Sequence, residues 1–195
     1  MNIHHKHHRE FSRAIQNQNF EAADGGVLFP KQGLHAVGTY YSSVNGEGLQ
    51  IDRNLIPDQG ILSILNVYFG ATAKLPAWYM ALFAGAVTPT NTLTAANFAA
   101  TTTEITSSSE GYSGLTRPQF TTAPAAGNVI GNLASKAVYE IVCSTQITVN
   151  GGALLSDNTK GGTAGVLASA ARFANARTLF NGDSFELGYT VTLTG

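Results

Sequence analysis

DSFELGYTVTLT (183–194) decides how this chain is read. Phe185, Leu187, Tyr189, Val191 and Leu193 occupy every second position, with Glu186 on the polar set between them. A period of two puts the apolar residues on one face of an extended strand. Such a face needs a second layer to cover it. Gly182-Asp183, just ahead, reads as the turn that launches the strand.

The same pattern extends outward. KAVYEIV (136–142) alternates, QITVNGGALLS (146–156) opens β-branched and carries a Gly-Gly bulge signal, and AWYMALF (77–83) is a nearly continuous apolar run. In AVGTYYSSVNGEGLQID (36–52), β-branched and aromatic residues flank Asn45-Gly46, the strongest short signal for a two-residue hairpin turn. GYSGLTRPQF (111–120) adds strand, with Pro118 at an edge or bend. ASAARFANAR (168–177) has helical propensity through its alanines, yet it sits between strand candidates and reads as a short strand and loop.

Two segments break this pattern. NLIPDQGILSILNVYFG (54–70) places Pro57 in a first helical turn, and Ile61, Leu62, Ile64, Leu65 and Tyr68 recur at helical spacing before Gly70. One core-facing helix is expected at roughly 57–68. TLTAANFA (92–99) reads as a helical turn capped by Thr94. The strands lack the intervening helices of a parallel α/β sheet, so antiparallel pairing follows. Such spacings mean a sandwich or barrel. The fold expected over 36–195 is all-β, an antiparallel, jelly-roll-like β-sandwich with one short core helix.

Residues 1–35 differ. HHREFSRAIQNQNF (7–20) offers Phe11, Ala14 and Ile15 at helical spacing on a polar stretch, and ADGGVLFPKQG (23–33) breaks any regular element. With so few apolar positions one short amphipathic helix cannot offset its own ordering entropy. The segment is expected to be an extended N-terminal arm that orders on a partner. At its tip, MNIHHKHHR, the residues His4, His5, His7 and His8 surround Lys6. Imidazoles in that number can bind metals, but a specific site needs ligands fixed by a fold and a second shell. The tip reads instead as a positive docking end, with Lys6, Arg9 and Arg13 against Glu10 and a charge that grows as pH falls. No metal is assigned. Phe11, Ile15 and Phe20 are its apolar anchors, and Tyr40 and Tyr41, on opposite faces of their strand, offer one inward and one partner-facing ring.

Charged residues make up 12% of the chain, about half the usual share, and Lys+Arg 11 against Asp+Glu 12 leaves a net charge of -1. That balance gives no footprint for nucleic acid or an anionic membrane. The N-terminus has no apolar segment of the signal-peptide kind, and no window reaches the ~18 apolar residues of a membrane span. Cys143, alone, cannot close an internal disulfide and reads as a small buried apolar residue.

Catalytic constellations are not assembled. There is no G-x-S-x-G elbow, and His35, the one histidine beyond the tip, falls in the arm. Glu110 near Arg117, and Asp183 three residues before Glu186, allow a paired-carboxylate reading for glycoside hydrolysis. The turn and the polar strand face explain Asp183 and Glu186 more simply. SDNTKGG (156–162) has oxygen donors but not calcium-loop spacing, and reads as a surface turn. Neither catalytic residues nor a cofactor are assigned.

Trp78 and Tyr79 in an aromatic strand, Asn97 and Phe98 after it, then Tyr112, Arg117 and the closing Gly182-Asp183 form a set. The set resembles a family of tailed-bacteriophage structural proteins found alongside the major capsid protein, the head decoration or cement proteins. The resemblance covers about residues 36–195, and the tip HHKHHR falls outside it. It implies a non-enzymatic virion protein on the outer surface of the capsid, made in the host cytoplasm. The implied partners are the major capsid protein and further copies of itself, as homo-dimer or homo-trimer. Aromatic strands ending in Gly-Asp turns also occur in tail, collar and fibre-base components. A carbohydrate-binding module would need exposed aromatics, and the single Trp78 lies in a candidate core strand.

Overall fold

The computed structural model describes residues 21–23, 26–28 and 35–194. Its larger compact unit spans Val37–Thr192. In the smaller unit, β1 (Glu21–Ala23) and β2 (Gly26–Leu28) pair antiparallel as a two-stranded sheet of their own. The 23–33 segment, expected to break any regular element, therefore contains β2 and the last residue of β1.

In the larger unit the Asn45-Gly46 turn joins β3 (His35–Val44) to β4 (Glu47–Arg53), antiparallel with Tyr41 opposite Ile51. Asn45 and Gly46 have φ of 52° and 79°, the left-handed pair such a turn requires. Helix α1 (Asp58–Tyr68) follows, then β5 (Tyr79–Phe83) and α2 (Ala95–Thr102). The remaining strands are β6 (Gly111–Tyr112), β7 (Val129–Gly131), β8 (Ala137–Val142), β9 (Gln146–Leu155), β10 (Leu167–Phe180) and β11 (Ser184–Thr194).

These strands make two sheets. The six-stranded one runs β4-β3-β11-β8-β6 with β7 also on β11, and the three-stranded one runs β10-β9-β5. Every pairing whose register is described is antiparallel. One core joins both sheets: Tyr40, Tyr139, Phe185, Leu187 and Tyr189 meet Met80, Leu82, Leu154 and Phe173. The alternation in β11 works as its sequence implies up to Tyr189, while Leu193 is exposed. Burial pushes the Tyr189 phenol up to about 12 and raises Tyr40 and Tyr139 well above 10.0. The phenols stay protonated, and Tyr139 donates to the Met80 carbonyl at 2.9 Å.

Several expectations change. The 168–177 segment is part of the longest strand, because pairing to β9 overrides its alanine content. The bulge lies in that strand: Phe173, Ala174, Asn175 and Ala176 together stand opposite Asn150. Asp52 satisfies the freed amide of Ala174 at 2.6 Å. Gly151-Gly152 instead sits where backbone and ring crowd in, with Phe83 and the Ala171 carbonyl over Gly151. Only Gly111–Tyr112 of GYSGLTRPQF is strand, although Pro118 and Phe120 bond the edge of β5 through Met80 and Trp78. Trp78 and Tyr79 are half-buried, whereas Phe83 is core.

Helix roles are exchanged as well. α2 is two full turns with Thr94 and Asn97 forming a capping box, and it buries Ala95, Phe98 and Thr102 against Phe83, Leu155 and Leu167. α1 forms where expected, with Pro57 as its N-cap, but within the helix only Gly60 is buried.

Candidate functional site

α1 lies on the protein by its small face. A Cβ on Gly60 would come within 2.5 Å of the Ala168 carbonyl, so only glycine allows the helix to approach β10 this closely. Polar bonds hold it there. The Asp58 amide donates to the Asn91 carbonyl at 3.0 Å, and the Gln59 side-chain oxygen accepts from the amides of Ala95 and Leu167, each at 2.9 Å. Gln59 thereby ties α1 to the start of α2 and to β10 together.

The opposite face is large and apolar. At 3.6 residues per turn, Ile64, Tyr68, Ile61, Leu65, Phe69 and Leu62 cover a continuous arc of about 160°. All six are exposed, from 47% for Ile61 to 79% for Tyr68 and 78% for Phe69. The Tyr68 and Phe69 rings meet edge to face at 4.8 Å. Beside the helix runs a groove of about 220 Å³ lined by Gly60, Ile64, Val67, Leu75, Trp78 and Ala168, among others. The expected helix is thus present with its apolar stripe turned outward. Periodicity shows that a helix has one apolar face; it does not show which way the face points.

A second set of exposed apolar side chains lies on the outer face of the six-stranded sheet, with the Lys136–Glu186–Ser43 bonds beside Val138. Leu49 and Ile51 of β4 are about 60% exposed, Val138 of β8 is 49% exposed, and Tyr41 is half-buried opposite Ile51. Tyr40 points the other way: it is fully buried, with its hydroxyl 2.8 Å from that of Ser169. It is a core residue and leaves the interaction set. His4, His5, Lys6, His7, His8, Arg9, Phe11, Arg13, Ile15 and Phe20 lie outside the described residues. His35 is the exposed first residue of β3.

The acids and the arginine considered for paired-carboxylate chemistry are committed to structure. Arg117 pairs with Glu104, both fully buried, through two bonds of 2.7 Å, and donates to the Asp157 carbonyl at 2.8 Å. Glu104 also accepts from the Gly161 amide at 3.0 Å. Glu110, the nearer acid in sequence, instead accepts from the Ser144 amide. Asp183 caps its own turn through the Phe180 amide at 2.8 Å and accepts from Asn45 at 2.9 Å. Glu186 accepts from Lys136 at 2.9 Å and Ser43 at 2.8 Å. The sequence-adjacent acids Asp183 and Glu186 thus each serve a different structural task.

No family model and no curated protein sequence matches this chain. Among the described residues there is no cluster of three metal-ligating side chains and no helix long and apolar enough to cross a membrane.

These bonds make an acid-side prediction. The Phe180 amide and the Asn45 side chain hold Asp183 below its ordinary 3.8, and the Lys136 ammonium and Ser43 hydroxyl hold Glu186 below 4.5. Carboxylates depressed in the fold contribute stability that is present above those ordinary values and lost as pH falls through the lowered ones. Thermal midpoints should be flat from neutrality to about pH 5 and decline below it. Glu186→Gln should decline less steeply in calorimetric scans; an unchanged acid slope would exclude Glu186 as a contributor.

Proposed function

We infer that this chain is a non-enzymatic structural subunit of a tailed-bacteriophage particle, decorating and cementing the capsid across major capsid protein subunits. The observation that carries this reading is the presence of exposed apolar side chains on two separate surfaces of one low-charge scaffold, the continuous α1 face and the outer face of the six-stranded sheet. A lattice component needs contact with more than one neighbour, and exposed patches of this size mark protein interfaces. The fixed polar bonds of Gln59 and Asp58 support the same role, since they present an apolar face rigidly rather than hiding it.

The resemblance in Trp78, Tyr79, Asn97, Phe98, Tyr112, Arg117 and Gly182-Asp183 supplies the viral identity. In this reading the sandwich is jelly-roll-like, residues 1–35 are the arm that reaches a neighbouring subunit, and Tyr41 with Ile51 lies on the shell-facing surface. Binding only to the assembled state would stabilise the shell by mass action.

Quantitative mass spectrometry of purified particles of the encoding phage tests it. A copy number on the scale of the major capsid protein supports shell-wide decoration. A count far below that moves the subunit to the tail, collar or fibre base. A chain lacking residues 1–20 should still fold and should bind heads more weakly; unchanged head affinity would remove the arm from the contact.

A further inference from the structure

We propose that the outward face of α1 is a twofold contact between two copies of this chain, packed as antiparallel helices. This goes beyond the capsid assignment and holds equally for a tail or collar component.

Area is the first reason. Two aromatic side chains nearly four-fifths exposed and four aliphatic ones about half exposed present roughly 600 Å² of apolar surface. A standard specific interface buries about 800 Å² per partner, with a polar rim around an apolar centre. One α1 face supplies the centre, and the polar residues flanking it supply the rim. An uncharged apolar centre of that size lies at or beyond the largest patch a solitary soluble protein normally leaves open.

Charge is the second. The face carries no ionisable side chain but Tyr68, and the helix has one acid, Asp58, in its first turn and no base in its last. The adjoining groove carries one base, Lys74, and the outward face of a second α1 brings no base to it, so two copies meet without a like-charge clash. Antiparallel packing keeps the two Asp58 carboxylates at opposite ends of the contact and opposes the two helix dipoles.

Shape is the third. The surface carries both a projection and a recess. Tyr68 and Phe69, the last residue of α1 and its C-cap, stand nearly four-fifths exposed with their rings edge to face, and the groove beside the helix is lined by Gly60 and shares Ile64 with the face. At 1.5 Å per residue the helix is about 16 Å long. A twofold axis near Leu65 returns the partner's aromatic pair toward the Gly60 end of the groove. An apolar cavity of about 150 Å³ accommodates a benzene ring, so about 220 Å³ accommodates one of these side chains. Because the contact is isologous, the same insertion occurs twice.

Sedimentation velocity of the full chain over a concentration series is the test. The wild-type chain should be dimeric, and Leu65→Glu and Leu65→Lys should each be monomeric while keeping the wild-type circular dichroism. Residues 65 of the two copies face each other near the axis, so mixing the two variants in equal amounts should restore a dimer. Tyr68→Ala, at a position too exposed to matter for folding, should weaken association at least ~10-fold and carries the test should Leu65→Glu fail to fold. Ile51→Lys, on the outer sheet face, should dimerise as wild type. A wild-type chain that is monomeric up to ~0.1 mM, Leu65 variants that dimerise normally, or a dimer lost through Ile51→Lys would each overturn the assignment. None of these readings depends on particles, and copy number in the virion is measured without them, so either conclusion can fail alone.

Discussion

Glu104→Ala should lower the unfolding free energy by about 3–5 kcal/mol, because it strands a buried guanidinium. Arg117 and Glu104 have side chains that are 0% and 1% exposed, joined by two parallel 2.7 Å bonds. The carboxylate also receives the Gly161 amide at 3.0 Å, so its loss removes that bond as well. Arg117 meanwhile holds the Asp157 carbonyl, and its backbone amide donates to the Asn158 carbonyl. Loss of the pair therefore also loosens the 157–162 turn. Urea unfolding with an unchanged slope would report the loss as a shift in midpoint. The double substitution Glu104→Leu/Arg117→Leu should cost clearly less than either single change, since it removes both charges together. A loss below about 1 kcal/mol for Glu104→Ala would mean that the pair is open to solvent, which its burial contradicts.

Gly151→Ala should be as damaging, through sterics alone. A methyl at Gly151 would lie well inside 3.0 Å of both the Phe83 ring and the Ala171 carbonyl. Gly151 is at the centre of the three-stranded sheet, opposite Phe83 on one side and Arg172 on the other, so neither neighbouring strand can simply move away. Overpacking of this kind costs about 1–3 kcal/mol, and more where backbone must shift. Trimming the ring with Phe83→Leu should recover only part of the loss, because the Ala171 carbonyl still meets the methyl. Thermal unfolding of the single and double variants distinguishes these outcomes. Full recovery would show that the ring alone sets the limit.

The strands were legible wherever one face is buried and the other wet. Alternation marks β8 and β11, and Asn45-Gly46 and Thr94 mark a turn and a cap by chemistry that is local. What escaped the sequence was set by distant partners. β10 contains enough alanine to resemble a helix, and only its ladder to β9 makes it strand. Glu104 pairs with Arg117 although Glu110 is closer in the chain, because the bridge between Phe83 and Glu104 brings that acid to the edge of β5. The outward turn of α1 follows from Gly60, whose missing side chain lets the small face settle on β10. That glycine was in plain view inside the helical repeat, and a glycine within a helix is a signal of close approach. Of the candidate contact residues, Tyr41 stays on a surface and Tyr40 does not, as opposite faces of one strand require.

β11 sits between β3 and β8 in the six-stranded sheet and contributes Phe185, Leu187 and Tyr189 to the shared core. It is also the last described strand to leave the ribosome. At ~5–20 residues per second, β3 must wait on the order of ten seconds for its neighbour. Until then the earlier strands have a gap where the sheet should close, and the α1 face is already out. The six-stranded sheet therefore cannot close until the chain has been made as far as β11, and through that interval a nascent chain carries its apolar α1 face beside a sheet edge that nothing yet covers.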